Sequence, residues 1–306
     1  MIIKVLGSAA GGGLPQWNCN CANCRRARSG DPSVSARSND SLAVSPDGIQ
    51  WALLNASPDI GFQLAAHDCL RPGPSLRSSP VQAVLLTDAE LDHTTGLLQL
   101  RQGSSMEVFA TAPVLHALEH GLPVRRIVEP FASFRWQEAH PEESFPLFGG
   151  QLSVCPFYLG DKPPRYVYGE LPKKPDQQKE AWVVGYRITD RLTGGTAVYA
   201  PGIEAWTPSL ERQLEAADCL FVDGTFWKGD ELRSLGVSEL DASDMGHLPV
   251  GGPNGSAERL ARLPARRKVY IHVNNTNPML DDDSPERRIL AELGIEIGFD
   301  GMEMEV

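Results

Sequence analysis

Seven consecutive residues, Thr87-Asp88-Ala89-Glu90-Leu91-Asp92-His93, carry three carboxylates and an imidazole just after the apolar run 81–86. An Asp and a His immediately past a buried strand can both face a sheet edge. There one offers oxygen and the other nitrogen to a borderline divalent ion. Taken alone, Asp92 and His93 fit a structural contact as readily as a metal site. His272 closes a second apolar stretch, 268–273, and reaches the same edge if the two halves of the chain pair. His247 lies in the loop Asp244-Met245-Gly246-His247-Leu248-Pro249, where a histidine is either solvated or functional. Asp223 leaves the apolar stretch 219–222, and an Asx turn or helix cap accounts for it as well as a site does.

A second cluster is separate. Cys19, Cys21 and Cys24 place three thiols within six positions, while Cys69, Cys155 and Cys219 are scattered. Zinc favours thiolate-rich, four-coordinate structural sites. The spacing therefore predicts a structural zinc that staples the N-terminal loop, with three reduced, metal-free thiols as the alternative. Other motifs lack the chemistry they hint at. Gly11-Gly12-Gly13 has no Lys-Ser/Thr of a phosphate loop and reads as a tight turn. His116 and His120 lack the H-E-x-x-H order and read as an exposed pair. Asp281-Asp282-Asp283 before Ser284-Pro285 reads as a helix start rather than a calcium loop.

These groups need elements to position them. Residues 1–8 alternate and end in glycines, predicting a first strand. Residues 41–44 and 49–54 flank Pro46-Asp47-Gly48, a hairpin signal. Residues 182–189 and 196–200 predict a second hairpin around Leu192-Thr193-Gly194-Gly195. Residues 81–86, 219–222 and 268–273 read as buried strands. Helical patterns fall at 111–120, 208–217, 256–263 and 284–293, the last with Pro285 after Ser284. Residues 160–180, rich in proline and lysine, read as an exposed loop or lid. No linker divides the chain, so a single domain over 1–306 is expected. Strands in both halves with helices between them predict two mixed sheets with helices outside.

Bulk properties narrow the partners. The 306 residues carry a net charge of −11, with 42% hydrophobic and 22% charged residues. Such a surface repels phosphate backbones, which argues against nucleic acid. No apolar run approaches the roughly 20 residues needed to cross a bilayer. Nor does the N-terminus read as a signal peptide, so no membrane insertion and a cytoplasmic location are expected.

Several longer segments then converge. They are Lys4-Val5-Leu6-Gly7-Ser8-Ala9-Ala10-Gly11-Gly12-Gly13, Pro15-Gln16-Trp17-Asn18-Cys19-Asn20-Cys21 and Asn55-Ala56-Ser57-Pro58-Asp59-Ile60. Further along come Asp92-His93-Thr94-Thr95-Gly96-Leu97-Leu98, Tyr199-Ala200-Pro201-Gly202, Val222-Asp223-Gly224-Thr225 and Met245-Gly246-His247-Leu248. His272-Val273-Asn274-Asn275-Thr276-Asn277-Pro278 and Phe299-Asp300-Gly301-Met302 complete the set. End to end, the chain resembles the family of coenzyme PQQ (pyrroloquinoline quinone) synthesis proteins B, within the metallo-β-lactamase superfamily. The resemblance implies an α/β (α+β) fold, a four-layer αββα sandwich with its site at the edge between the sheets.

The superfamily signature H-x-H-x-D-H is altered here. Asp92 and His93 match its last two ligands, and His272 matches the late-strand histidine, so one metal position is implied whole. Asp88 and Glu90 stand where the leading histidines would be, and Tyr199-Ala200-Pro201-Gly202 lacks the bridging aspartate. A two-metal clamp needs ions about 3.5–4 Å apart, and that clamp is lost. Two histidines and a carboxylate on one face match non-haem Fe(II) oxygenases, although the set also takes zinc. Asp88 and Glu90 then become supporting acids, proton carriers or weak ligands through water, and His247 a proton-transfer residue. In a related cyclic phosphodiesterase with the same cysteine cluster, a histidine near the late strand completes the zinc site. Asn275 stands there in this chain, and the fourth ligand is left open. The implied activity is an iron- and dioxygen-dependent hydroxylation of a tyrosine-derived, Glu–Tyr-type PQQ precursor, with other proteins of the pathway as the implied partners. The alternatives are a soluble carrier of PQQ or its precursor toward the periplasm, and a one-metal zinc hydrolase.

Overall fold

Residues 1–102, 105–167 and 180–306 of the chain are described by a computed structural model. In chain order the strands of the first half are β1 (Ile2–Gly7), β2 (Ser41–Ser45), β3 (Trp51–Leu54), β4 (Val81–Leu85), β5 (Ser105–Ala110) and β6 (Ser133–Glu138). They are followed by β7 (Phe145–Leu147), β8 (Leu152–Gly160), β9 (Val183–Asp190), β10 (Thr196–Ala200), β11 (Cys219–Asp223), β12 (Arg267–Ile271), β13 (Glu296–Ile297) and β14 (Glu303–Glu305). One sheet has the order β14-β1-β2-β3-β4-β5-β6 and the other β13-β12-β11-β10-β9-β8-β7. Both are mixed. Pairing is antiparallel from β14 to β3 and from β7 to β10, then parallel onward in each.

Local chemistry sets the hairpins. The Asp47 carboxylate accepts the amides of Ile49 (2.8 Å) and Gln50 (3.0 Å), and Gly48 turns at φ 77°. Those bonds register β2 on β3. The central strand β4 is parallel to both neighbours and nearly all buried, which is why it reads as a continuous apolar run. Val5, Leu54, Leu85, Tyr186, Tyr199, Phe221 and Ile271 meet between the sheets. Fully burying each aliphatic side chain there contributes ~1.5–3 kcal/mol. The outer face of one sheet packs on helices that include Ile60–Ala66 and Val124–Val128, through Ile60, Val124 and Val128. Helices Pro208–Glu215, Ser256–Arg262 and Pro285–Glu292 cover the other through Leu210, Leu260 and Leu290. The result is the four-layer αββα sandwich expected from the sequence.

The helix expected over 111–120 is shorter than its pattern. It runs as Ala112–His116 and continues as a π turn, Ala117–Gly121, with His116 and His120 exposed and their rings 4.5 Å apart. Ser284 caps the last helix, its hydroxyl accepting the Arg287 amide at 3.0 Å. Of the loop expected over 160–180, residues 168–179 lie outside the described residues. The part before them is anchored: Pro164 and Val167 are buried, and Tyr166 is half-buried. No helix among the described residues is long and apolar enough to cross a membrane.

The parallel strands deliver chemistry to one edge. Thr87 to His93 follow β4, Asp223 ends β11, and His272 follows β12. The chain leaving β1 crosses to the second sheet there, Ala9 bridging both Asn39 and Val273. Gly11 belongs to this crossing. A Cβ at that position would lie 3.2 Å from Asp92 Oδ2, so glycine allows the turn to approach the carboxylate.

Candidate metal centre

Asp88 anchors the first half of the site. Its carboxylate accepts the Thr87 hydroxyl (2.7 Å), the Glu90 amide (2.9 Å) and His93 Nδ1 (2.7 and 2.9 Å to its two oxygens). The short helix Leu91–Thr94 holds Asp92 beside His93. With Nδ1–H donated to Asp88, the lone pair of His93 lies on Nε2, and that atom is buried with no hydrogen-bond partner.

Thr225 does the same work for His272. The backbone of His272 sits at φ 53°, a left-handed conformation costly for a non-glycine residue. The Thr225 hydroxyl donates to Asp223 Oδ1 at 2.6 Å and is left to accept from His272 Nδ1 at 2.8 Å. His272 Nε2 is therefore the free acceptor, and it too is buried without a partner. Asp92 Oδ2 lies 3.4 Å from that nitrogen and 3.9 Å from His93 Nε2. The three ligand atoms all fall within 4.8 Å of one another. Buried polar atoms left unpaired cost free energy. Two inward lone pairs and a carboxylate oxygen fit a divalent ion, and a hydrogen-bond acceptor behind each imidazole is the usual support of a metal-bound histidine.

The electrostatics agree. Burial opposes charge on His93, but the carboxylates of Asp88 and Asp92 outweigh it and raise its pKa to about 10. Burial likewise opposes charge on Asp92, yet His93 and His272 hold it far below the usual carboxylate range. A raised histidine stabilises the folded protein while it is protonated. That contribution is complete below the usual value of 6.5 and is lost as pH rises through about 10. A bound metal takes the proton's place. Chelated protein is therefore expected to lose thermal stability between about pH 7 and pH 10, whereas metal-loaded protein keeps it, and metal uptake near neutrality releases protons. Melting curves of both forms across this range check it; parallel profiles would contradict it.

Around the three ligands opens a cavity of about 410 Å³ lined also by Glu90, His247, Val183 and Phe226. His247 stacks on His272 with ring centroids 5.3 Å apart. Its Nδ1 bonds Asp223 Oδ2 at 2.7 Å, which leaves Nε2 for the cavity. Burial, then the charges of Asp88 and Asp92, push Glu90 up to about 7.

The three clustered cysteines also converge, their sulfurs within 4.8 Å of one another. The helix Ala22–Arg28 begins on Cys21, whose thiol accepts the Cys24 amide. Burial, then crowding by the neighbouring thiols, raises Cys21 to about 11. Over them lies the Asn275 side-chain amide, 3.2 Å from Cys24 Sγ and 3.7 Å from Cys21 Sγ. The two ends of an amide are nearly equivalent in shape, so Oδ1 can face the sulfurs as well as Nδ2.

Asp92, His93, His272, Glu90 and His247 thus meet in one cavity, while Asp88 stands behind His93. Asp223 has both roles that its sequence position left open. It closes an Asx turn to the Thr225 amide (3.0 Å) and holds His247. Sequence reasoning missed Thr225 and Asp40. Asp40 is fully buried beneath the site, accepting the Tyr199 hydroxyl, which in turn accepts the Asn55 amide at 3.0 Å. Burial raises its carboxyl to about 6. No carboxylate stands in Tyr199-Ala200-Pro201-Gly202 itself.

The β-lactamase superfamily domain matches residues 50–273. Over the full length the resemblance is narrower. Coenzyme PQQ synthesis protein B of Pseudomonas savastanoi pv. phaseolicola is 42% identical over 308 residues, covering 100% of both chains. That of Cupriavidus taiwanensis is 46% identical over 311 residues, covering 99% of this chain and 98% of the relative. The chain belongs to the coenzyme PQQ synthesis protein B family. Its fold is that of a solved family member: Zn²⁺-bound PqqB from Methylobacterium extorquens matches with a TM-score of 0.91 at 36% identity, each chain covered completely. For a PqqB-family chain, the hydrogen bonds behind His93 and His272 give the two imidazoles fixed orientations.

Proposed function

We propose that this chain acts in PQQ synthesis as a mononuclear non-haem iron hydroxylase of a tyrosine-derived, Glu–Tyr-type precursor. The observation that carries the reading is the convergence of Asp92, His93 and His272, with both Nε2 atoms turned inward and a cavity beside them. The names of the full-length relatives support the pathway. Fe(II) held by these residues would activate dioxygen, one oxygen atom entering the ring and the other leaving as water, with two electrons from an external reductant. Asp88 and Thr225 fix the imidazoles. His247, steadied by Asp223, and Glu90 hold protons at the cavity wall. Phe226 and Val183 give an aromatic ring apolar surface.

Anaerobic reconstitution with Fe(II), followed by oxygen, reductant and precursor, is expected to give coupled oxygen consumption and ring hydroxylation. Precursor binding without oxygen uptake would favour a carrier instead. The Zn²⁺ in the Methylobacterium relative favours a second reading, a one-zinc hydrolase. Oxygen-independent turnover of an ester or amide by zinc-loaded protein would decide for it.

The cysteine cluster is read as a structural zinc site, with the Asn275 amide as its fourth ligand. Cys21→Ser is expected to remove that zinc and lower the melting temperature, while the metal at His93 and His272 stays. Unchanged zinc content in the variant would refute the assignment.

A further inference from the structure

Two cations stand at the cavity wall, Lys162 and Arg165, on either side of Pro163-Pro164. The prolines fix the backbone between them, so their spacing is built in. The segment is also tied to both halves of the site. Tyr166 donates its hydroxyl to the Ala89 carbonyl (2.7 Å), between Asp88 and Glu90. Lys162 Nζ donates to the Met245 carbonyl (2.7 Å), two residues from His247. Val167 is buried in the core beside it.

Among the described residues neither cation makes an ion pair, although each lines a cavity that also holds Glu90 and Glu204. Lys162 spends one of its three N–H groups on Met245, and Arg165 is exposed with no partner among the described residues. Burial lowers the pKa of Lys162, so its charge is held at a cost that a bound anion would offset. Glu90 and Glu204 repel an anion, so this corner is favoured over the stretches of wall that they line. It would therefore orient the ligand as well as attract it.

We infer that Lys162 and Arg165 receive a substrate carboxylate and select anionic, carboxylate-bearing ligands for this cavity. The inference rests on the tyrosine-precursor reading above and specifies which part of that precursor is recognised. Planar guanidinium and carboxylate groups pair through two parallel hydrogen bonds, with the aromatic end left free to lie toward Phe226 and the metal ligands.

Calorimetric binding to zinc-loaded protein tests this without turnover, using the N-acetylated Glu–Tyr dipeptide and its neutral diamide as probes. The dipeptide is expected to bind at least about tenfold more tightly than the diamide. Arg165→Ala should abolish most of that preference with metal content unchanged, and Arg165→Lys should restore part of it. Lys162→Met is a second variant expected to weaken the dipeptide selectively. Equal affinity for the two probes, or a preference that survives both variants, overturns the carboxylate rim and leaves the hydroxylase reading standing. Binding of neither probe to the unmodified protein overturns both.

Discussion

Replacing His272 by Ala is expected to strip the active-site metal and abolish turnover while the cysteine-held ion remains. Among the described residues it supplies one of the two imidazole nitrogens that converge with Asp92. Loss of a hydrogen-bond partner behind a metal ligand costs roughly 10–100-fold in affinity, and loss of the ligand itself must cost more. His93→Ala should behave alike, since its Nε2 is the other inward acceptor. Asp88→Asn should fall in the lower range, because it removes the charge behind His93 and leaves all three ligands in place. Metal analysis of each purified variant, with its unfolding curve, separates lost coordination from lost structure. An active His272→Ala protein with full metal content would remove the basis of the site.

The second large effect is expected at His247. If it moves a proton at Nε2, His247→Ala should lower the turnover number by about 10²–10⁴ and keep the metal. Asp223→Asn should follow the same direction, since that carboxylate fixes the ring through Nδ1 at 2.7 Å. Geometry makes this a sharp test, because Asp223, His247 and His272 also lie within ligand distance of one another. A metal loss in His247→Ala equal to that in His272→Ala would make His247 a ligand rather than a proton carrier.

How much of this could be read from the sequence follows from how far apart the partners lie along it. Asp92 and His93 were legible because β4 ends just before them and one helical turn holds both. His272 is distant in sequence: the apolar stretch before it brings it to the same edge only if the two halves pair, and the family resemblance supplies that pairing. Thr225 was invisible, because a threonine after Asp-Gly carries an ordinary turn signal. Only the packing of β11 beside β12 brings its hydroxyl to His272. Asp40 gave no sign either, for its partner Tyr199 is 159 residues away. Among the elements, β8 escaped notice because Pro156 interrupts it. The structure tolerates that proline beyond the reach of the three-residue β7, which pairs only with Leu152 to Val154.

On the proposed reading, one metal held by Asp92, His93 and His272 suffices for oxygen chemistry. The most direct measurement is an anaerobic Fe(II) titration of protein whose cysteine site is already zinc-filled, with precursor hydroxylation and element-specific metal content followed in the same samples. Activity is expected to rise in proportion to iron and to saturate at about one Fe(II) per chain, as a single facial set of two histidines and a carboxylate requires. Saturation at two ions per chain, or full activity with zinc and no oxygen, would contradict it.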